Sequence, residues 1–248
     1  MNKKIISGVC GVSLLALSNV THAVPVDITS LTATWFDGNP AANVTYLGDN
    51  GSTSATATWG GGTAPSSYNF ATAATPIQEF LPPSPTGLFD LGTWSHNNQP
   101  IPSGTSITSI SLRLDAGISI DGTDQGDFSF IFDFAHNETP NSVAAGENCA
   151  NGELPTSPIN ANGCADLVDI SYSLSSDSIN VGGDLYTLTI DPLASSHFET
   201  KEQANNSFDI QGFWTLRSAV VPEPSILALM GVGLAALGFA SRRRKLKA

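Results

Sequence analysis

Basic residues are nearly missing from most of this 248-residue chain. Between residues 24 and 220 only Arg113, Lys201 and Arg217 are basic, against 21 Asp and Glu, so the segment carries a net charge of −18. Such a surface repels phosphate backbones and anionic headgroups, which excludes nucleic acid as a partner and favours cations or basic partners. Helical periodicity is also missing, because apolar residues do not recur at i, i+3, i+4 over any long window there. No repeat with a period of roughly 20 to 50 residues is visible. The Gly-x-Ser-x-Gly elbow, the His-Glu-x-x-His motif and the phosphate-binding glycine loop are all absent. Carboxylates are plentiful, but nothing singles out a pair for glycoside hydrolysis. The chain therefore reads as a non-enzyme, with a polysaccharide-acting hydrolase as the weaker alternative.

Cysteine is scarce too: Cys10, Cys149 and Cys164. Lys3 and Lys4 precede an apolar run from Ile5 to Leu17, and Thr21-His22-Ala23 offers small residues for processing. This pattern predicts a secretory signal peptide over 1–23, handled by the Sec translocon and signal peptidase. Cys10 leaves with it, and the remaining pair in an exported chain predicts a Cys149–Cys164 disulfide.

The other end of the chain holds Pro222-Glu223-Pro224, then Ser225–Ser241 without a charge, then Arg242, Arg243, Arg244, Lys245 and Lys247. Seventeen helical residues reach roughly 25 Å, a little short of the ~30 Å hydrocarbon core of a bilayer. The basic cluster keeps the C-terminus cytoplasmic. The three parts in this order, over 221–248, resemble the PEP-CTERM sorting signal. The resemblance implies recognition and cleavage by exosortase, a membrane-embedded cysteine transpeptidase-like protease. Membrane contact would then run only through the C-terminal helix before processing. The expected route is an inner-membrane intermediate, then the periplasm and outer envelope or the extracellular space. Because such systems accompany exopolysaccharide production, the resemblance also implies a place in the polysaccharide matrix.

Between the two ends, 24–220 reads as one extracytoplasmic all-β domain. Short segments rich in β-branched and aromatic residues alternate with Ser, Thr and Asp, and are separated by Gly, Pro, Asn and Asp. The predicted strands are 29–36, 43–47, 54–59, 67–71, 87–93, 106–114, 127–134, 167–174, 186–190 and 208–218. Many strands without helical crossovers predict an antiparallel β-sandwich, jelly-roll-like in order. Phe128, Phe130, Phe132 and Phe134 fall on one strand face as a large part of the core, with Leu185, Leu188 and Ile190 on a facing strand.

Three polar stretches could carry function. Ser95-His96-Asn97-Asn98 reads as a turn closing one strand, and His136-Asn137-Glu138-Thr139-Pro140-Asn141 as a turn closing another. Two such turns could converge at one end of a sandwich, where binding loops lie. His96, Asn98, His136, Glu138 and Asn141 are the residues of interest. Together these stretches resemble THxN-type PEP-CTERM proteins and the related choice-of-anchor K domains, with Ser95 where that pattern has Thr. This second resemblance implies architecture and sorting and no activity. The third stretch spaces Asp121, Asp124 and Asp127 by three with two glycines between them, which would suit Ca²⁺ but equally suits a hairpin turn. No other cofactor is expected. For a carbohydrate-binding module, Trp59, Trp94 or Trp214 would serve as a stacking platform.

Overall fold

The computed structural model describes residues 24–47, 52–81, 87–173, 178–181, 184–191, 193, 195–218 and 233. The expected signal peptide, the apolar span and the basic cluster lie outside these residues, save for residue 233. Among the described residues no helix is long and apolar enough to cross a membrane.

Among the described residues thirteen strands build two antiparallel sheets. They are β1 (Val24–Asn39), β2 (Thr45–Leu47), β3 (Ser54–Trp59), β4 (Ser66–Thr72), β5 (Ile77–Leu81), β6 (Phe89–Asn98) and β7 (Ser109–Ile120). After them come β8 (Thr123–Asn137), β9 (Asp166–Tyr172), β10 (Ile179–Val181), β11 (Asp184–Ile190), β12 (His197–Thr200) and β13 (Ala204–Ser218). One sheet runs β12-β9-β8-β7-β1-β5 and the other β10-β11-β13-β6-β4-β3-β2. The chain passes repeatedly from one sheet to the other, and their inner faces make the core of a β-sandwich.

Period-2 alternation explains which residues meet in that core. On β8, Phe130, Phe132 and Phe134 are buried while Ser129, Ile131 and Asp133 point outward. On β7, Ile110, Leu112, Leu114 and Ile118 take the same inward face. Trp35 of β1 crosses between the sheets, its Nε1 donating to the Ala55 carbonyl of β3 at 3.0 Å. On β11 the inward residues are Tyr186, Leu188 and Ile190, so Leu185 faces away from the core, unlike its expected place.

Two differences from the sequence reading matter for the site. β6 does not end at Thr93 but continues through Ser95-His96-Asn97-Asn98, because β4 and β13 flank it on both sides. Ser67 pairs with Asn97 and Ala204 with Asn98. The two neighbouring ladders satisfy the backbone of residues whose side chains favour turns, so the extended form wins. β8 likewise runs past Phe134, with His136 opposite Val168 and Asn137 opposite Leu167 of β9. The short strands β5, β10 and β12 are not among the predicted ones. Each lies at or near a sheet edge and is too short to show a pattern.

Candidate functional site

The buried polar residues gather at one end of the sandwich, where β6, β8 and β12 finish and β9 begins. Each continues an inward apolar stripe by one or two steps of the period. On β6, Trp94 is followed by His96 and Asn98; on β8, Phe134 is followed by His136; on β9, Asp166 precedes Val168 and Ile170. His96 belongs to one sheet and His136 to the other, and their ring centroids are 5.4 Å apart. The sequence reading thus placed both histidines on turns, whereas both lie in strands with their rings between the sheets. Trp59, Tyr68 and Trp94 pack around them, with Trp59 at 5.5 Å from His96 and 5.3 Å from His136.

Hydrogen bonds orient this cluster. Tyr68 Oη lies 2.7 Å from His136 Nδ1. His96 Nδ1 lies 3.0 Å from Thr200 Oγ1, and Asn98 Nδ2 donates to the Thr200 carbonyl at 3.0 Å. Asp166 Oδ1 accepts the Thr139 backbone N–H at 2.7 Å, while Thr139 Oγ1 donates to the Cys164 carbonyl at 2.9 Å. Glu138 Oε2 accepts from Ser106 Oγ at 3.3 Å. With its amide nitrogen turned toward Glu202, Asn141 donates to both carboxylate oxygens at 3.1 and 3.2 Å.

The Cys149–Cys164 disulfide is present and both sulfurs' residues are buried. It closes part of the long β8–β9 connection over this end of the sandwich, and Asp166 follows two residues after Cys164. Gly163, at φ 141°, brings the loop so close to Glu202 that a Cβ there would meet Glu202 Cγ at 2.9 Å. Asn160 ties the loop down, accepting from the Ala165 N–H at 2.9 Å and donating to the Leu154 carbonyl at 3.1 Å.

Several hydrogen-bonding atoms in this cluster remain unused. His136 Nε2, Asp166 Oδ2, Glu138 Oε1, His96 Nε2 and Asn98 Oδ1 are buried and have no hydrogen-bond partner among the described residues. His136 Nε2 is 3.5 Å from Glu138 Oε2 and 3.8 Å from Asp166 Oδ2. Among the described side chains, no lysine or arginine forms an ion pair with Glu138, Asp166 or Glu202; Arg113 pairs with Asp115 at 2.9 Å instead. Burial therefore dominates the electrostatics. Burial first, with the charge of Glu138 adding to it for the other two, pushes the carboxyls of Glu138, Asp166 and Glu202 each up to about 7. Burial also holds His136 down to about 4 against the pull of Asp166, and His96 well below the usual imidazole range. Both imidazoles are consequently neutral at pH 7, and the Nε2 of each has no hydrogen-bond partner among the described residues.

Of the residues expected from sequence, His96, Asn98, His136, Glu138 and Asn141 do come together here. Tyr68, Asp166, Thr200 and Glu202 join them without having been picked out. The signal that marks His96, Asn98 and His136 is the period-2 continuation of Trp94 and of Phe130, Phe132 and Phe134. Nothing local marks Asp166 or Glu202 among the other carboxylates.

The aspartate stretch sits at the opposite end of β8. Asp121 (φ 50°) and Gly122 (φ 72°) form the two-residue turn between β7 and β8, the positive φ pair of a type I′ hairpin. Asp124 and Asp127 lie in β8 itself, exposed, and Asp124 Oδ1 accepts the Gly126 N–H at 2.8 Å. The three carboxylates do not converge. Among the described residues, the one set of three His, Cys, Asp or Glu side chains with ligand atoms within 4.8 Å of one another is His136, Glu138 and Asp166. The tryptophans expected as stacking platforms are core residues instead: Trp59, Trp94 and Trp214 are each at most 1% exposed, and Trp35 is 4% exposed. They take inward positions on their strands and fill the space between the sheets.

Beyond β13, residues 220–245 match the PEP-CTERM protein-sorting motif. This chain is an exported protein sorted by exosortase to the cell surface. The match covers Pro222, Glu223, Pro224 and Arg242–Arg244 together with the apolar stretch between them. No curated protein matches the chain.

Proposed function

We propose that this protein is a non-catalytic β-sandwich cargo of the cell envelope or the extracellular polysaccharide matrix. The Sec translocon and signal peptidase release it from 1–23, the tail holds it briefly in the inner membrane, and exosortase cuts near Pro222-Glu223-Pro224. The sorting motif at 220–245 carries this reading. The −18 charge of 24–220 supports it, since a strongly acidic domain stays soluble and apart from its copies once released. The burial of the carboxylate cluster supports the absence of glycosidase activity. Glycoside hydrolysis needs two carboxyls flanking an open sugar site, whereas Asp166 is fully buried beside His136. A carbohydrate-binding role would need aromatic surface other than the four buried tryptophans. The THxN assignment rests on Ser95–Asn98 and His136–Asn141, whose histidines share one cluster.

The test is an intact-mass measurement on the mature chain from a host that carries an exosortase. Wild type should lack Arg242–Lys247, while Pro222→Ala/Glu223→Ala should retain them and stay with the inner membrane. A wild-type chain that keeps its basic cluster would make the tail a plain anchor. A glycan-array screen of the released protein, with and without Ca²⁺, tests the carbohydrate reading in parallel.

A further inference from the structure

We propose that His136, Glu138 and Asp166 form a binding site for a divalent transition-metal ion of the zinc class. The site goes beyond sorting, and its success or failure is independent of the tail. Three observations carry it together. First, one nitrogen and two carboxylate oxygens lie within 4.8 Å of one another. Second, the His136 side chain is 0% exposed, and its Nε2 points at Glu138 Oε2 (3.5 Å) and Asp166 Oδ2 (3.8 Å) with no hydrogen-bond partner among the described residues. Third, Tyr68 Oη lies 2.7 Å from the other ring nitrogen, which orients the imidazole with Nε2 toward the two carboxylates; Nε2 ligates in the tautomer whose Nδ1–H donates to Oη.

The spacing suits a metal better than a hydrogen bond. Separations of 3.5 and 3.8 Å exceed hydrogen-bond length. Metal–ligand bonds of about 2.0–2.2 Å at tetrahedral angles put neighbouring ligand atoms roughly 3.4 Å apart. Two carboxylates facing each other without a cationic side chain are also a charge arrangement that a divalent ion neutralises. Calcium fits less well, since it takes six to eight oxygen ligands and this site presents an imidazole nitrogen among few donors. Supporting hydrogen bonds complete the site: the Thr139 N–H holds Asp166 Oδ1, leaving Oδ2 for the ion, and Ser106 holds Glu138. A pocket of ≈ 620 Å³, lined by Ile101, Ser106, His136, Glu138 and Asn141 among others, opens onto this side of the cluster. It provides an entry path and room for water at a fourth coordination position.

The experiment uses the full chain with its tail, purified in detergent, stripped with EDTA and dialysed. Zn²⁺, Mn²⁺ and Ca²⁺ are titrated separately, with metal per chain read by native mass spectrometry and the thermal midpoint read alongside. The expected result is one Zn²⁺ per chain and a raised midpoint, with no such shift from Ca²⁺ at the same concentration. Glu138→Gln and His136→Gln should abolish stoichiometric zinc, Tyr68→Phe should weaken it about 10- to 100-fold, and His197→Ala should leave it unchanged. If His136→Gln fails to fold, Glu138→Gln decides alone, because that carboxylate lies on the pocket side and is partly exposed. Absence of stoichiometric zinc in the wild type, retention of zinc in Glu138→Gln, or tighter binding of Ca²⁺ than of Zn²⁺ would each overturn the proposal.

Discussion

The two ends of β8 carry similar chemical groups and treat them in opposite ways. At its start, Asp121, Asp124 and Asp127 stand in water around a hairpin turn, and their carboxylates do not meet. At its end, His136 and Glu138 meet Asp166 of the neighbouring strand, with Trp59 packed against His136 and a disulfide closing part of the loop that leads to Asp166. One end hydrates its charges. The other removes them from water, lifts three carboxyls to about 7 and leaves polar atoms unpaired. A carboxylate cluster therefore becomes a site through burial and convergence, and spacing along the chain is a poor guide to either.

Breaking the covered end should cost the most. Cys149→Ser/Cys164→Ser opens a loop with a sequence separation of 15. The chain-entropy account puts its loss at roughly 3 kcal/mol. Urea unfolding should show the midpoint fall accordingly, and hydrogen exchange at Asp166 and Thr139 should quicken before that at Phe130 or Phe132. A smaller loss is expected from Tyr68→Phe, which strips the partner from buried His136 Nδ1 and should cost about 1–3 kcal/mol in the same assay. A midpoint equal to that of wild type would show that the Tyr68–His136 contact does not orient the ring.

The third effect is one of pH, in EDTA. Glu138, Asp166 and Glu202 sit at about 7 in the folded chain, above their ordinary values of 4.5 for Glu and 3.8 for Asp. A raised folded value means that their contribution is present below those ordinary values and lost as pH rises through about 7. His136, lowered to about 4, works the other way: its contribution is present above 6.5 and lost as pH falls through about 4. Between pH 6.5 and 8 the carboxyls dominate, so the thermal midpoint should decline across that window. Glu202→Gln should flatten the decline, and a midpoint that climbs from pH 6.5 to 8 would contradict the assignment. The smallest effect belongs to the open end. Asp124→Ala removes one exposed acceptor from the Gly126 N–H and should leave the urea midpoint within error of wild type.

Much of the architecture was legible along the chain. Ser54–Trp59 matches β3 residue for residue, and Phe130, Phe132 and Phe134 face the core as their alternation implied. What misled was the ending of strands. Ser95–Asn98 and His136–Asn137 carry turn-forming side chains, yet pairing with β4 and β13 holds the first extended and pairing with β9 the second, and His96 and His136 turn inward. The same polar character that suggested a surface loop thus ended up as buried polarity. Leu185 shows the converse error, since a run of apolar residues on β11 hid which of them shared a face.

By itself the sequence determined the address and the material: a PEP-CTERM motif at 220–245, a two-cysteine exported domain, and an alternating pattern that only a sheet sandwich can bury. These properties are local, because each is set by residues near one another in the chain. Tertiary structure alone decided the site. His96 and His136 lie 40 positions apart, Asp166 follows on β9, and Glu202 sits in the turn between β12 and β13. Their convergence depends on which strands pair across the two sheets and on where the disulfide loop closes over them. Those choices are made by the packing of the whole core, and they determine which of many carboxylates lose their water.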